Sequence, residues 1–74
     1  MKLPTGQQRV FDFIRAFIAE KGYAPTIREC MVALGIKSPQ GVHCHLRAMK
    51  HKGIIDWEPL KSRTIRILEQ PDAE

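Results

Sequence analysis

Residues 38–53, Ser-Pro-Gln-Gly-Val-His-Cys-His-Leu-Arg-Ala-Met-Lys-His-Lys-Gly, constrain the fold more than any other stretch of the chain. They spell a helix with a start and a stop. Ser38 suits the N-cap, Pro39 the first helical position, and Gly53 a left-handed closing position. Between these limits Val42, Leu46 and Met49 recur at helical spacing, which predicts a buried face. The opposite face carries Gln40, His43, Arg47 and Lys50, with Cys44 to one side and no acidic residue anywhere in the helix. Amide and basic groups on the outside of an amphipathic helix match what a DNA major groove admits and reads. A plain solvated surface helix has the same pattern.

The rest of the chain limits what this helix can belong to. Seventy-four residues make one small domain, which buries only about 60% of its unfolded surface and folds with little stability in hand. No apolar run approaches the roughly 20 residues of a membrane span. Asp12 and Arg15 interrupt the one apolar stretch near the N-terminus, so a secretory leader is not expected and a cytoplasmic location is. Two cysteines, Cys30 and Cys44, make no disulfide framework and are expected as thiols, Cys30 partly buried and Cys44 nearer the surface. The net charge of +4 is unevenly spread. Between Gly35 and Leu68 stand seven basic residues (Lys37, Arg47, Lys50, Lys52, Lys61, Arg63, Arg66) against two acids, Asp56 and Glu58. Glu69, Asp72 and Glu74 reverse the sign afterwards. A basic region confined to one part of a small domain is the electrostatic footprint of nucleic-acid binding.

Two further helices precede residue 38. Thr5-Gly6-Gln7-Gln8 has the form of a capping box opening a helix to about Lys21, where Gly22 ends it. Val10, Phe11, Ile14, Phe17 and Ile18 give that helix a broad apolar stripe. Thr26-Ile27-Arg28-Glu29 is a second capping box, opening a short helix that should bury Ile27, Cys30, Met31 and Leu34 and end at Gly35. Two helices joined by a short glycine-containing turn make a helix-turn-helix, with the helix of residues 39–52 as its groove reader. After Gly53 the period shortens. Ile54–Glu58 and Thr64–Leu68 read as strands, with Ile65 and Ile67 on one face, joined by Pro59–Arg63 with a basic tip at Lys61, Ser62 and Arg63. The expected fold is α+β: a winged helix-turn-helix of three helices followed by a two-stranded antiparallel hairpin. The domain is expected over residues 1–70, with 71–74 a disordered acidic tail.

Taken in order, these segments resemble a known family. Thr5…Gln8 with Val10-Phe11 and Ile14, Ala24-Pro25-Thr26-Ile27-Arg28-Glu29, Ser38-Pro39…His45-Leu46…Lys52-Gly53-Ile54-Ile55, and Ser62-Arg63-Thr64-Ile65-Arg66-Ile67-Leu68 are similar to the N-terminal DNA-binding domain of the LexA repressors. The similarity runs nearly ungapped from Leu3 to Leu68, and Trp57 with Arg63-Thr64 most resembles the cyanobacterial members. It implies an SOS-type transcriptional repressor module that binds palindromic operator DNA as half of a dimer. By matching positions, the resemblance makes Ser38, Gln40, Gly41, His43 and Cys44 the base readers and Lys61, Ser62 and Arg63 the wing contacts. The chain departs from the pattern at His43 and Cys44, where well-studied members carry acidic residues. A carboxylate accepts hydrogen bonds from cytosine amino groups, while a neutral imidazole or thiol offers a different pattern, so the operator sequence is left open. The family's C-terminal domain, which dimerises and cleaves its own linker with a Ser-Lys dyad, has no counterpart among these residues. The chain is therefore expected not to cleave itself, and to act as a weak monomer that pairs on DNA.

Each singled-out residue has an ordinary reading beside the functional one. Gln40 can bond an adenine edge in bidentate fashion, or be a surface amide. Gly41 costs about 1 kcal/mol against alanine inside a helix; it either permits close approach to DNA or is a tolerated defect. Arg47 and Lys50 suit backbone phosphates, as they suit solvent, and the polar tip at Lys61–Arg63 is also what an ordinary turn favours. His43-Cys44-His45 cannot converge on one ion, because consecutive helical residues point about 100° apart. No metal or other cofactor is expected. No nucleophile–base or carboxylate pair suggests an enzyme. Two other functions remain open: a stand-alone winged-helix protein-interaction module acting on a repressor or the transcription machinery, and a metal-responsive regulator.

Overall fold

The computed structural model describes residues 3–58 and 61–68. Helices α1 (Thr5–Lys21), α2 (Ile27–Leu34) and α3 (Pro39–His51) are followed by β1 (Ile55–Asp56) and β2 (Arg66–Ile67). The strands pair antiparallel in the register Ile55↔Ile67 and Asp56↔Arg66. This is the expected α+β arrangement of three helices and a hairpin wing. The proposed acidic tail at 71–74, and Pro59 and Leu60 of the wing connection, lie outside the described residues.

Local signals explain most of the boundaries. At α2 the capping box is complete: Thr26 Oγ1 accepts from the Glu29 backbone N–H at 3.1 Å, and Glu29 Oε1 accepts from the Thr26 N–H at 2.8 Å. At α3 the Ser38 hydroxyl accepts from the Gly41 N–H at 3.3 Å. The helix closes in a Schellman motif, with Gly53 at φ 80° donating to the Lys50 carbonyl and Ile54 to that of Met49. It ends at His51, with Lys52 as the cap residue, one position earlier than the pattern suggests.

Three expectations need correction. The first box does not form: α1 starts at Thr5 with Pro4 as its N-cap and no side-chain cap. Gln8 instead donates from its side chain to Asp12 Oδ1 at 2.9 Å, a partner one turn ahead that competes with reaching back. On α2 only Cys30 is fully buried, while Ile27, Met31 and Leu34 pack at the rim, because this short helix lies across the surface of the other two. Finally, the strands are two residues each, shorter than the predicted five. Toward the wing tip the Thr64 side chain takes over from the ladder, accepting from the Glu58 N–H at 3.0 Å, with its one hydroxyl hydrogen in reach of the Glu58 carbonyl at 3.0 Å and the Lys61 carbonyl at 3.2 Å.

The core lies where α3 crosses the other elements. Val42, Leu46 and Met49 are fully buried, as are Phe11 and Ile14 from α1 and Ile54 and Ile55 from the wing. Burying a side chain of this size is worth about 1.5–3 kcal/mol, so the inner face of α3 anchors the helix and fixes which face is left outside.

Candidate nucleic-acid interface

Packing divides the outer residues of α3 into three groups. Gln40, Cys44 and Arg47 form the exposed stripe, opposite the buried Val42–Leu46–Met49 face, and Ser38 and Pro39 are exposed at its start. A second group turns toward the wing. His43 is half-buried, its ring 5.2 Å from that of Trp57 and tilted by 53°. Lys50 Nζ donates to the Trp57 carbonyl at 2.9 Å and lies 3.7 Å from Asp56 Oδ1. The third group turns toward the helices. The ring of His45 packs over Gly6, where an added Cβ would come within 2.8 Å of it. A Cβ at Gly41 would come within 2.8 Å of Ile36 Cγ2, so the missing side chain lets the turn before α3 close against the helix.

The wing places its three tip residues differently. All three are exposed, with Lys61 Nζ 3.7 Å from Glu58 Oε2. Arg63 has a positive φ of 56°, and its guanidinium points back to the body of the domain. There it donates to the Ala24 carbonyl at 2.9 Å and to Glu29 Oε1 at 3.0 Å. A cleft of about 270 Å³ separates the wing tip from the start of α2, with Arg28, Trp57, Lys61 and Ser62 among its lining residues.

The carboxylates around this surface are neutralised. Asp56 is held below its ordinary range first by the hydrogen bond from Arg66 and then by the Trp57 N–H. Glu29 is held down first by the Thr26 N–H, with Arg63 adding to it. Glu58 faces Lys61. Arg28, Lys37 and Arg47, by contrast, are exposed and have no ion-pair or hydrogen-bond partner among the described residues. The sequence reading did not place Arg28 or Lys37 in the site. In the sequence Arg28 reads as part of the capping box, its outward face being set by how α2 packs, and Lys37 counts only toward the basic region. The result is a positively charged surface running along α3 to the wing. Burial pushes the Cys30 thiol up to about 11, whereas Cys44 is exposed on the stripe. Among the described residues no three His, Cys, Asp or Glu side chains are grouped to hold a metal ion, and no helix is long and apolar enough to cross a membrane.

Comparison with known proteins places this geometry in a context. The family model of the LexA DNA binding domain matches residues 1–64. The chain is 44% identical over 68 residues to a LexA repressor of Oceanobacillus iheyensis, covering 92% of this chain and 33% of that protein. It is 42% identical over 72 residues to the LexA repressor of Listeria welshimeri, covering 97% and 35%. With that of Sorangium cellulosum it shares 48% identity over 64 residues, covering 86% and 28%. The chain thus spans about a third of the length of the curated relatives it matches.

Proposed function

Since the chain belongs to the LexA DNA-binding domain family, we propose that it is the sequence-reading module of a LexA-type transcriptional repressor of the DNA-damage response. It acts on double-stranded DNA in the cytoplasm, and the domain itself is assigned no catalytic step. The observation that carries this reading is the exposed stripe of Gln40, Cys44 and Arg47 on a helix capped at its start, beside a wing whose acidic groups are all paired. Helix α3 lies in the major groove, and the wing lies on the adjacent backbone.

Ser38, Gln40 and Cys44 meet base edges, with His43 at the wing side of the contact and Gly41 keeping the start of the helix slim. Arg47, Lys61 and Ser62 meet phosphates, joined by Arg28 and Lys37. Lys50, bonded to the Trp57 carbonyl, serves the backbone contact by keeping α3 and the wing together. Two copies meeting on an inverted repeat supply the affinity that one half-site lacks.

Selection of bound sequences from random double-stranded DNA, followed by titration of the winner at several salt concentrations, tests the proposal. A recurrent motif with affinity falling steeply in salt supports it. Binding with no motif leaves only a basic surface, and no binding at low salt moves the assignment to a protein-interaction module.

A further inference from the structure

An arginine at the tip of a basic wing is expected to point away from the domain; the Arg63 side chain, still 40% exposed, points back toward it. Its guanidinium crosses the cleft between wing and α2 and meets three groups on the far side. Nη1 donates to the Ala24 carbonyl at 2.9 Å and to Glu29 Oε1 at 3.0 Å, while Nη2 reaches Glu29 Oε2 at 3.5 Å. The guanidinium carbon lies 4.6 Å from the centre of the Tyr23 ring. Glu29 is at the same time the residue that closes the capping box of α2. Arg63 thereby ties the wing tip to the loop before α2, to the first turn of α2, and to an aromatic face.

The backbone at this position has a matching peculiarity. A φ of 56° is left-handed, a conformation that a residue with a side chain keeps only when its surroundings hold it there. The ladder offers little of that holding, since β1 and β2 pair over two residues each, well away from the tip. The Thr64 hydroxyl fastens the turn to itself, through Glu58 and Lys61, but does not fasten it to the body of the domain. Among the described residues, only Arg63 has hydrogen bonds that bridge from the tip to the helices.

We propose that Arg63 is a positioning residue for DNA binding: a strut, anchored on Glu29 and Ala24, that sets the wing against α2 and so presents Lys61 and Ser62 to the backbone. It does this without touching a phosphate itself. The inference rests on the DNA-binding reading above and assigns a distinct role within that surface. The bonds from Nη1 and Nη2 to Ala24 and Glu29 hold the guanidinium toward the helices, whereas Lys61 has only one looser pairing, 3.7 Å from Glu58. The planar fork of Arg63 fits two acceptors and a ring face at once, which a lysine ammonium cannot do.

A phosphate contact and a strut predict different outcomes for two substitutions. The probe is the duplex recovered by selection, titrated with the wild-type chain and with Arg63→Ala, Arg63→Lys and Glu29→Gln, well below their melting temperatures. Glutamine at 29 keeps the capping-box acceptor and removes the charge. For a strut, Arg63→Lys weakens binding as much as Arg63→Ala, by about two- to fivefold. Glu29→Gln also weakens it, although it removes a negative charge from the surface. The motif read by α3 stays the same, and hydroxyl-radical protection is lost only beneath the wing. Wild-type affinity in Arg63→Lys, or tighter binding by Glu29→Gln, overturns the proposal.

A second readout needs no DNA. Trp57, the single tryptophan, lines the cleft that Arg63 spans. Acrylamide should quench its fluorescence more readily in all three variants, and unchanged quenching overturns the strut. If the wild-type chain binds no duplex, the DNA reading fails, and the quenching result still decides the role of Arg63.

Discussion

The imidazole of His43 and the indole of Trp57 lie 5.2 Å apart, so the exposed side of α3 and the wing share a side-chain contact. Lys50 reinforces it two helical turns further on, through the Trp57 carbonyl. Aromatic pairs of this geometry are worth about 0.5–1.5 kcal/mol beyond the area they bury. His43→Ala is therefore expected to lower the melting temperature by roughly 5 °C, the usual response of a domain this small to a loss near 1 kcal/mol. Calorimetry checks this, and an unchanged melting temperature would show that the two rings merely lie side by side.

Gly41 offers a sharper test of packing. An alanine in an exposed helix interior gains about 1 kcal/mol over glycine. Here the added Cβ would sit 2.8 Å from Ile36 Cγ2. Gly41→Ala should thus destabilise the domain by about 1–3 kcal/mol, and combining it with Ile36→Ala should recover part of the loss relative to Ile36→Ala alone. Urea denaturation of the four proteins gives the coupling directly. Stabilisation by the single alanine would show that the turn yields easily.

Acid stability follows from Glu29 and Asp56. Both carboxyls titrate lower in the folded protein than their ordinary values of 4.5 and 3.8, the first chiefly through the Thr26 N–H and the second chiefly through Arg66. The unfolded chain then takes up protons before the folded one as pH falls. Their contribution is complete above about pH 4.5 and is lost as pH drops through the depressed values. Melting temperatures measured from pH 6 to pH 3 should fall along this limb, and more shallowly in Glu29→Gln and in Asp56→Asn.

The two thiols should separate cleanly. Cys30 is fully buried and its thiol titrates at about 11, while Cys44 is exposed. A maleimide at neutral pH should modify Cys44 in the native protein and reach Cys30 only after denaturant is added. In alkali the unfolded chain loses the Cys30 proton first, so stability should decline as pH rises from about 9 toward 11. Equal native labelling of both residues would contradict the burial of Cys30.

The features legible in the sequence were those decided within a few residues. Thr26 with Glu29, Ser38 with Pro39, and the glycines that close the helices encode their own hydrogen bonds, so α2, α3 and the turn between them were readable. The buried face of α3 was readable for the same reason. What periodicity could not say was which outer residues face solvent and which face the wing. His43 and Lys50 share the helix with Gln40 and Arg47, and only the position of Trp57 sorts them. At Gly41 the sequence offers close approach to DNA or a tolerated defect, and it hides the packing against Ile36 because that neighbour lies across a turn. Arg63 resembled any turn cation because its partners, Ala24 and Glu29, are 39 and 34 residues away in the chain.

If α3 reads bases, Gln40 and Arg47 should fail in different ways. Affinities of the wild type, Gln40→Ala and Arg47→Ala should be measured against the selected duplex and a scrambled duplex over a range of salt. Gln40→Ala is expected to lose preference for the selected duplex by about 1–3 kcal/mol with its salt dependence intact. Arg47→Ala should weaken binding to both duplexes alike and reduce the salt slope by about one. Full sequence preference in Gln40→Ala, or equal wild-type affinity for the two duplexes, would contradict a groove-reading α3.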